Sequence, residues 1–186
     1  MAKVVIVSGS PTPTSRLHGV IDHAKAQLER AGIHTDWIKV RDFPAEDLLY
    51  AKFDSESIVK ANALVEQADA VFVATPVYKA SYTGVLKAFL DLLPQKGLTG
   101  KVVLPLAVGG TMSHLLAIDY ALKPVLSSLG AHNILQGVYV LDKQVTWGEN
   151  GQAILDEEIS TRLAQAVSDF VQEIQWHTSK PARQNA

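Results

Sequence analysis

Short runs of β-branched residues alternate along the chain with longer stretches in which apolar residues recur every three or four positions. Val4–Val7 is such a run, and it stops at Ser8-Gly9-Ser10-Pro11, which is typical of a strand buried on both faces. The stretch Leu17–Ala31 has the helical spacing, and Gly32 follows it at a place where helices commonly end. The pattern therefore predicts a strand, a loop and a helix at the start of the sequence.

The same alternation continues through the rest of the sequence. Further strands are predicted at Trp37–Val40, Ala70–Ala74, Lys101–Val108 and Ile134–Leu141. Further helices are predicted at Ile58–Val65, Val85–Leu93, Leu115–Leu129 and Ile159–Ile174. Pro105 lies inside the fourth strand and has no amide hydrogen for the ladder, so we expect a β-bulge close to it.

Five strands alternating with helices indicate an α/β protein whose parallel sheet is covered by helices on both faces. At this length the pattern favours a flavodoxin-like three-layer sandwich over a six-stranded dinucleotide-binding fold. Its five-stranded parallel sheet would have the order 2-1-3-4-5. In this interpretation residues 1–177 form a single domain and residues 178–186 form a polar C-terminal tail.

Ligands of open α/β sheets bind beyond the carboxyl ends of the strands, at the point where the strand order reverses. For the order 2-1-3-4-5, the loops after strands one, three and four border that crevice. These loops are Ser8–Arg16, Thr75–Gly84 and Gly109–Ser113. The sequence therefore predicts one site built from three loops.

The first of these loops has the composition of an anion site. It is rich in hydroxyls and leads into a helix N-terminus, where free amides and the helix dipole favour negative charge. Ser10 and Ser15 can donate to phosphate oxygens, and Arg16 can pair with them. The loop has neither a Gly-x-Gly-x-x-Gly nor a Gly-Lys-Ser/Thr pattern, which favours a terminal phosphomonoester. The alternative is a solvated loop in which Ser15 only caps the helix.

The second and third loops suit a planar ring. Tyr78 or Tyr82 can pack on such a ring, and Gly109-Gly110 lets the backbone approach a ligand closely. A phosphate at one end of the crevice and a flat ring at the other describe flavin mononucleotide (FMN). Taken singly, each loop has a plainer interpretation: a strand end with a helix cap at Thr83, and an ordinary tight turn. A receiver domain is excluded, because Ser8-Gly9-Ser10 supplies no acidic cluster.

Composition narrows the choice of class. The 186 residues include no Cys, which excludes a disulfide scaffold, a thiolate metal site, an iron–sulfur cluster and a Cys nucleophile; we expect no metal. With 17 Lys and Arg against 19 Asp and Glu, the net charge of -2 argues against a nucleic-acid binder and against a strongly acidic electron carrier. No apolar run approaches the ~18 residues of a membrane span, so a soluble, cytoplasmic protein is expected.

Several motifs resemble those of the NAD(P)H-dependent FMN reductase family. Gly9-Ser10-Pro11 with Ser15-Arg16 resembles the phosphate loop of that family, and Thr75–Lys79 with Gly84–Lys87 resembles its second flavin motif. More narrowly, three segments resemble the reductases of two-component alkanesulfonate monooxygenase systems: Asp47–Ala51, Leu90–Pro94 and Tyr120–Leu126. Many relatives have an Arg inside the first loop and an Asn two places after its last Ser. Here those places are Thr12 and Leu17, so Arg16 is the candidate phosphate cation.

The resemblance implies reduction of FMN by NADPH and delivery of reduced FMN to a partner monooxygenase. It implies no catalytic side chain, because hydride transfer from nicotinamide C4 to flavin N5 needs no acid or base. It implies phosphate contacts from Ser10, Ser15, Arg16 and Leu17, ribityl and ring contacts from Pro76, Val77, Tyr78 and Lys79, and pyrimidine contacts from Gly109, Gly110 and Thr111. Two alternatives stay open: a quinone or azo reductase that retains its FMN, and a flavodoxin-like electron carrier. The choice between NADPH and NADH and the identity of the monooxygenase also stay open.

The fourth predicted helix has two apolar faces. One stripe, which we expect to face the sheet, is formed by Leu115, Ile118, Leu122, Val125, Leu126 and Leu129. Leu116 and Tyr120 lie off that stripe, and Pro124 cannot donate to the Tyr120 carbonyl, so a widened π-helical turn is expected there. The reductases that the chain resembles have a Tyr in a π-helix at a tetramer interface, which implies a dimer of dimers here. The alternative is a lone surface Tyr beside an ordinary proline kink.

Overall fold

The computed structural model describes residues 1–179. The main sheet is parallel, and its order is β2-β1-β3-β4 followed by a fifth position that two short strands share. The strands are β1 (Lys3–Ser8), β2 (His34–Lys39), β3 (Ala70–Pro76), β4 (Val102–Gly109), β5 (Asn133–Ile134) and β6 (Val138–Leu141). The predicted flavodoxin-like order 2-1-3-4-5 is confirmed.

Helices cover both faces of this sheet. They are α1 (Arg16–Arg30), α2 (Ala45–Leu49), α3 (Glu56–Gln67), α4 (Gly84–Leu90), α5 (Lys123–Ser128) and α6 (Glu157–Ser179). The alternation along β1 shows the layers: Val4 and Ile6 pack with α1 and α6, whereas Val5 and Val7 pack with α3, α4 and α5. All four side chains are 0 to 1 % exposed, as expected for a parallel strand buried on both sides.

The fifth strand is divided by a bulge opposite Pro105. Val103 pairs with Ile134, and Leu106 pairs with Val138, so three residues of the edge strand face two of β4. The extra residue is accommodated at Gly137, which has a φ of 91° and whose Cβ position lies 2.9 Å from the Pro105 ring. The bulge expected from the proline is therefore present, and it lies in the partner strand.

The segment predicted as one regular helix, Leu115–Leu129, is irregular. A 3₁₀ turn (Met112–His114) precedes a π-helical turn (Ile118–Leu122), and α5 begins only after it. The widening expected near Tyr120 is confirmed. The expectation that Leu115 faces the sheet is wrong, because its side chain lies before the regular helix and is 40 % exposed.

A second, antiparallel sheet was not expected from the sequence. It is a hairpin of β7 (Val145–Trp147) and β8 (Ala153–Leu155), and it packs on α1. His23 Nε2 lies 2.8 Å from the Ala153 carbonyl, and the Cβ position of Gly19 lies 2.2 Å from the Ala153 side chain. The hairpin is thus fixed to the helix that follows the first loop.

The last helix continues to Ser179, so the first two residues of the predicted polar tail are helical. Residues 180–186 lie outside the described part of the chain. Among the helices of residues 1–179, none is long and apolar enough to span a bilayer.

Candidate functional site

A cleft of about 230 Å³ lies at the carboxyl end of the sheet, where the three predicted loops meet. Its walls come from the first loop, the second loop, the third loop and the segment after β6. The lining residues are Thr12, Thr14, Ser15, Arg16, Leu17, Pro76, Val77, Tyr78, Val108, Gly109, Gly110 and Asp142. Eight of the eleven residues predicted from the sequence are among them. Ser10, Lys79 and Thr111 belong to the same loops but do not line the cleft.

The first loop ends in a capped helix. The Ser15 hydroxyl accepts a hydrogen bond from the Leu17 amide at 3.2 Å, so Ser15 is the N-cap of α1. Arg16 donates from Nε to the Val145 carbonyl at 3.1 Å, which fixes the guanidinium at the cleft. The Ser10 side chain is 1 % exposed and bonds to Thr12 within the loop. Ser10 therefore shapes the loop from behind.

His18 holds the first loop against the sheet. Its Nδ1 lies 3.1 Å from the Pro13 carbonyl, and its Nε2 lies 3.0 Å from the Ser8 hydroxyl. Because a carbonyl only accepts, Nδ1 carries a proton, and in the neutral ring Nε2 accepts from Ser8. Burial lowers the pKa of His18, and the positive charges of Lys39 and Arg41 act in the same direction.

A second cation reaches the same loop from the end of β2. Arg41 donates from Nε to the Pro11 carbonyl at 3.2 Å, and it also pairs with Asp42. Lys39 lies over the Trp37 ring, 4.4 Å from its centroid. The first loop is therefore flanked by positive charge on the side of α1 and on the side of β2.

The second loop contains a tight turn with unusual backbone angles. Tyr78 and Ser81 exchange backbone hydrogen bonds of 2.9 and 3.2 Å, which leaves Lys79 and Ala80 at the centre of a two-residue turn. Both have positive φ, 50° and 63°, as in a type I′ turn. Tyr78 lines the cleft and is 50 % exposed, whereas Lys79, at the exposed tip of the turn, does not line it.

Thr83 joins the second loop to the first. It is 1 % exposed, and its hydroxyl donates to the Gly9 carbonyl at 2.6 Å while accepting from the Leu86 amide at 3.1 Å. The Thr83 amide donates to the Thr75 hydroxyl at 3.1 Å. One buried residue thus caps α4 and sets the distance between the two loops.

The third loop is held by a buried tyrosine. Tyr139 on β6 donates from its hydroxyl to the Thr111 carbonyl at 2.7 Å. A Cβ at Gly109 would lie 2.2 Å from that hydroxyl, so any other residue there would force the Tyr139 ring to shift. Burial raises the pKa of Tyr139, and the negative charge of Asp142 adds to the effect. The hydroxyl therefore stays protonated and keeps its donor role.

Sequence reasoning did not find Asp142, Tyr139 or His18. Asp142 follows directly after β6, and the end of a parallel strand was the available signal. Tyr139 lies on a buried strand, where a hydroxyl needs a partner. The partners of His18 come from two different segments, which periodicity does not reveal.

The donors present fit a flavin nucleotide. A capped helix N-terminus and a guanidinium form one part of the cleft, and an aromatic side chain and two glycines form another. A flavodoxin-like sheet with this cleft at its switch point defines a flavin-binding protein of the flavodoxin-like class. An archaeal flavodoxin shares the fold, with a TM-score of 0.64 at 12 % identity over 93 % of this chain and 99 % of that chain.

Comparison with known sequences places the chain within that class. The family model for NADPH-dependent FMN reductases matches residues 2–146, and the chain belongs to this family of oxidoreductases. It is 46 % identical over 168 residues to an FMN reductase (NADPH) of Pseudomonas putida, covering 90 % of this chain and 85 % of the relative. It is also 46 % identical over 170 residues to an FMN reductase (NADPH) of Escherichia coli, covering 91 % of this chain and 88 % of that relative.

A solved structure agrees with this assignment. The apo form of the NADH:FMN oxidoreductase EmoB is 34 % identical and superposes with a TM-score of 0.87, covering 100 % of this chain and 95 % of that one. The alignment therefore includes β8 and α6, which lie beyond the family match.

Proposed function

We propose that this chain reduces free FMN with NADPH and releases the reduced flavin to a partner monooxygenase. The observation that carries the proposal is the cleft, in which an arginine and a capped helix start meet a tyrosine and two glycines. The names of the relatives from P. putida and E. coli, FMN reductase (NADPH), support the substrate pair. The motifs Asp47–Ala51, Leu90–Pro94 and Tyr120–Leu126 support an alkanesulfonate monooxygenase as the partner.

Arg16 and the Ser15 hydroxyl hold the FMN phosphate in this proposal, because they lie at the positive start of α1 in the cleft wall. Leu17 contributes through the cap, since its amide donates to the Ser15 hydroxyl. Pro76, Val77 and Tyr78 line the ribityl chain and the ring. Gly109 and Gly110 contact the pyrimidine side. Ser10, Lys79 and Thr111 act through the shape of their loops, since their side chains do not line the cleft.

Bound FMN supplies the chemistry as the acceptor of a hydride from NADPH at N5. The protein supplies position and shelter from water. Tyr139 and Thr83 fix the third and second loops, and Arg16 fixes the segment after β6. No side-chain acid or base is assigned.

The chain assembles as a dimer of dimers in the cytoplasm in this proposal. Tyr120 in the π-helical turn and Leu116 just before it are 78 % and 56 % exposed. Large apolar side chains grouped on one face are typical of a surface that another subunit covers. Paired segments around Tyr120 across the interface would bury both.

NADPH oxidation with and without added FMN tests the activity. A flavin reductase turns over on free FMN alone, a quinone or azo reductase needs its second substrate and no extra flavin, and a carrier oxidises no NADPH. The azo reductase alternative has one relative in its favour, an NADPH azoreductase of a Bacillus species that is 28 % identical over 180 residues. Tightly retained flavin with no dependence on free FMN would overturn the proposal.

A coupled assay with the monooxygenase tests the proposed partner. Purified alkanesulfonate monooxygenase, NADPH, FMN and an alkanesulfonate should release sulfite only when this protein is added. Equal sulfite release with an unrelated flavin reductase would show that no specific partnership exists, and the reductase activity would stand on its own.

A further inference from the structure

One carboxylate lines the flavin cleft without a partner. Asp142 is half-buried, and its Oδ2 lies 3.6 Å from the Cβ position of Gly110. Within residues 1–179 its carboxylate makes no hydrogen bond or ion pair. A carboxylate with no protein partner keeps its full negative charge available to act on whatever occupies the cleft. An unpaired carboxylate in a ligand cleft therefore points to a role in binding.

The cleft is polarised by this residue. Among its lining residues Arg16 is the one cation and Asp142 the one anion. The segment from Asp142 to Val145 begins beside Gly110 and ends at the carbonyl that accepts from Arg16. Arg16 lies at the first loop, at the start of α1, whereas Asp142 lies beside Gly110 in the third loop. The anion is therefore on the wall assigned to the pyrimidine ring, and the cation is on the wall assigned to the phosphate.

The chemistry at that end changes when the flavin is reduced. Oxidised FMN has a neutral pyrimidine ring. Reduced FMN loses its N1 proton near neutral pH, and the negative charge spreads over N1 and the C2 oxygen. A fixed carboxylate close to this ring repels the reduced flavin more than the oxidised flavin.

We propose that Asp142 sets the affinity of the site for reduced flavin below its affinity for oxidised flavin, and so promotes release of the product. The inference rests on the proposed function, because it requires FMN in this cleft. Tyr78, Tyr139 and Arg16 are the other titratable or charged groups that the fold brings to the same walls. Within residues 1–179 none of them forms a hydrogen bond or an ion pair with the Asp142 carboxylate.

The test compares Asp142→Asn with the wild-type chain. Dissociation constants for oxidised FMN and, under anaerobic conditions, for reduced FMN are measured by fluorescence titration. The variant should bind reduced FMN about tenfold more tightly relative to oxidised FMN. A tenfold change in the ratio of the two affinities corresponds to a rise of about 30 mV in the two-electron midpoint potential of bound FMN. Spectroelectrochemical titration measures this potential independently.

Two further variants separate charge from other effects. Asp142→Glu keeps the charge and should keep the wild-type ratio of affinities. Glu149→Gln removes one negative charge, as Asp142→Asn does, but on the exposed turn of the β7–β8 hairpin. This variant should also keep the wild-type ratio of affinities. Asp142→Ser repeats the measurement if the asparagine variant does not fold.

An unchanged ratio in the neutral variants would overturn the inference. So would an equal weakening of both forms, because it would assign Asp142 to a hydrogen bond made in both. The proposed function fails by a different result, namely the absence of oxidised FMN binding or of FMN-dependent NADPH oxidation in the wild-type chain.

Discussion

The hydroxyl of Tyr139 occupies the space that a side chain at Gly109 would need. The two residues lie on neighbouring parallel strands, and a Cβ at Gly109 would approach the Tyr139 oxygen to 2.2 Å. The same hydroxyl is held in place by its bond to Thr111. Packing and hydrogen bonding thus fix one loop of the cleft together.

Replacement of Gly109 by Ala should lower the free energy of unfolding by about 1–3 kcal/mol, as overpacking of a core does. The substitution should also weaken the binding of FMN, since the third loop must move. Urea denaturation and flavin titration measure the two effects. Adding Tyr139→Phe removes the oxygen and should recover part of the stability. A Gly109→Ala variant as stable as the wild-type chain would contradict the relationship.

Replacement of Arg16 by Ala should weaken the binding of FMN by about 1.5–3 kcal/mol. The binding of riboflavin should weaken much less, because only FMN has the phosphate. The bond to Val145 is lost in the same variant, so both flavins should show a small common loss. Arg41→Ala is the matched control, since Arg41 contacts the loop through Pro11 and does not line the cleft. Equal losses for both flavins in the Arg16 variant would give Arg16 a structural role.

Acid should destabilise the protein through His18. Burial lowers the pKa of His18 in the folded chain, so the unfolded chain takes up this proton first as the pH falls below the ordinary value of 6.5. The stabilisation is complete above 6.5 and is lost as the pH falls towards and through the lowered pKa. His18→Gln should flatten this part of a plot of unfolding free energy against pH. His132→Gln, at an exposed histidine, should leave the slope as it is.

Deletion of Tyr120 should convert the wide turn into a regular helix, since the π-helical turn holds one residue more than the α-helical pitch allows. We expect a smaller assembly by sedimentation, tighter retention of flavin and slower turnover on free FMN. Tyr120→Ala keeps the residue count and removes only the ring, so it separates the turn from the side chain. A deletion variant with unchanged mass and turnover would refute the proposed interface.

Gly137→Ala should destabilise the fold more than Gly32→Ala. Both glycines have positive φ, 91° and 77°, so each substitution introduces a backbone strain of about 1–2 kcal/mol. Gly32 has open space around its Cβ position, whereas Gly137 has Pro105 atoms at 2.9 Å. The difference in thermal stability between the two variants measures the contribution of packing at the bulge. Equal losses of stability would show that packing against Pro105 contributes nothing.

The strands, the sheet order and the three loops follow from the sequence because their signal is local. Val4–Val7 and Ala70–Ala74 are apolar throughout and are bounded by turn residues, which is typical of short buried strands. The effects of Pro105 and Pro124 were also predictable, since a missing amide hydrogen has the same consequence in any fold.

The remainder depends on contacts between distant segments. The β7 and β8 strands have three residues each, which is too short for an alternation of apolar and polar residues to be recognised in the sequence. Their positions depend on Gly19, which leaves room for Ala153 on the surface of α1. Asp142 and Gly110 meet only because β6 and β4 are neighbours. Of the candidate site, the sequence predicted the walls, and it missed the charge that faces Gly110.

The bulge opposite Pro105 changes what one edge of the sheet offers to another molecule. An uninterrupted edge strand offers a row of free amides and carbonyls onto which a strand of another molecule can add. Here the edge beside β4 consists of two short pieces, Asn133–Ile134 and Val138–Leu141, separated by the turn at Gly137. Such a broken edge is a poor template for strand addition, so this side of the sheet is protected against fibrous growth.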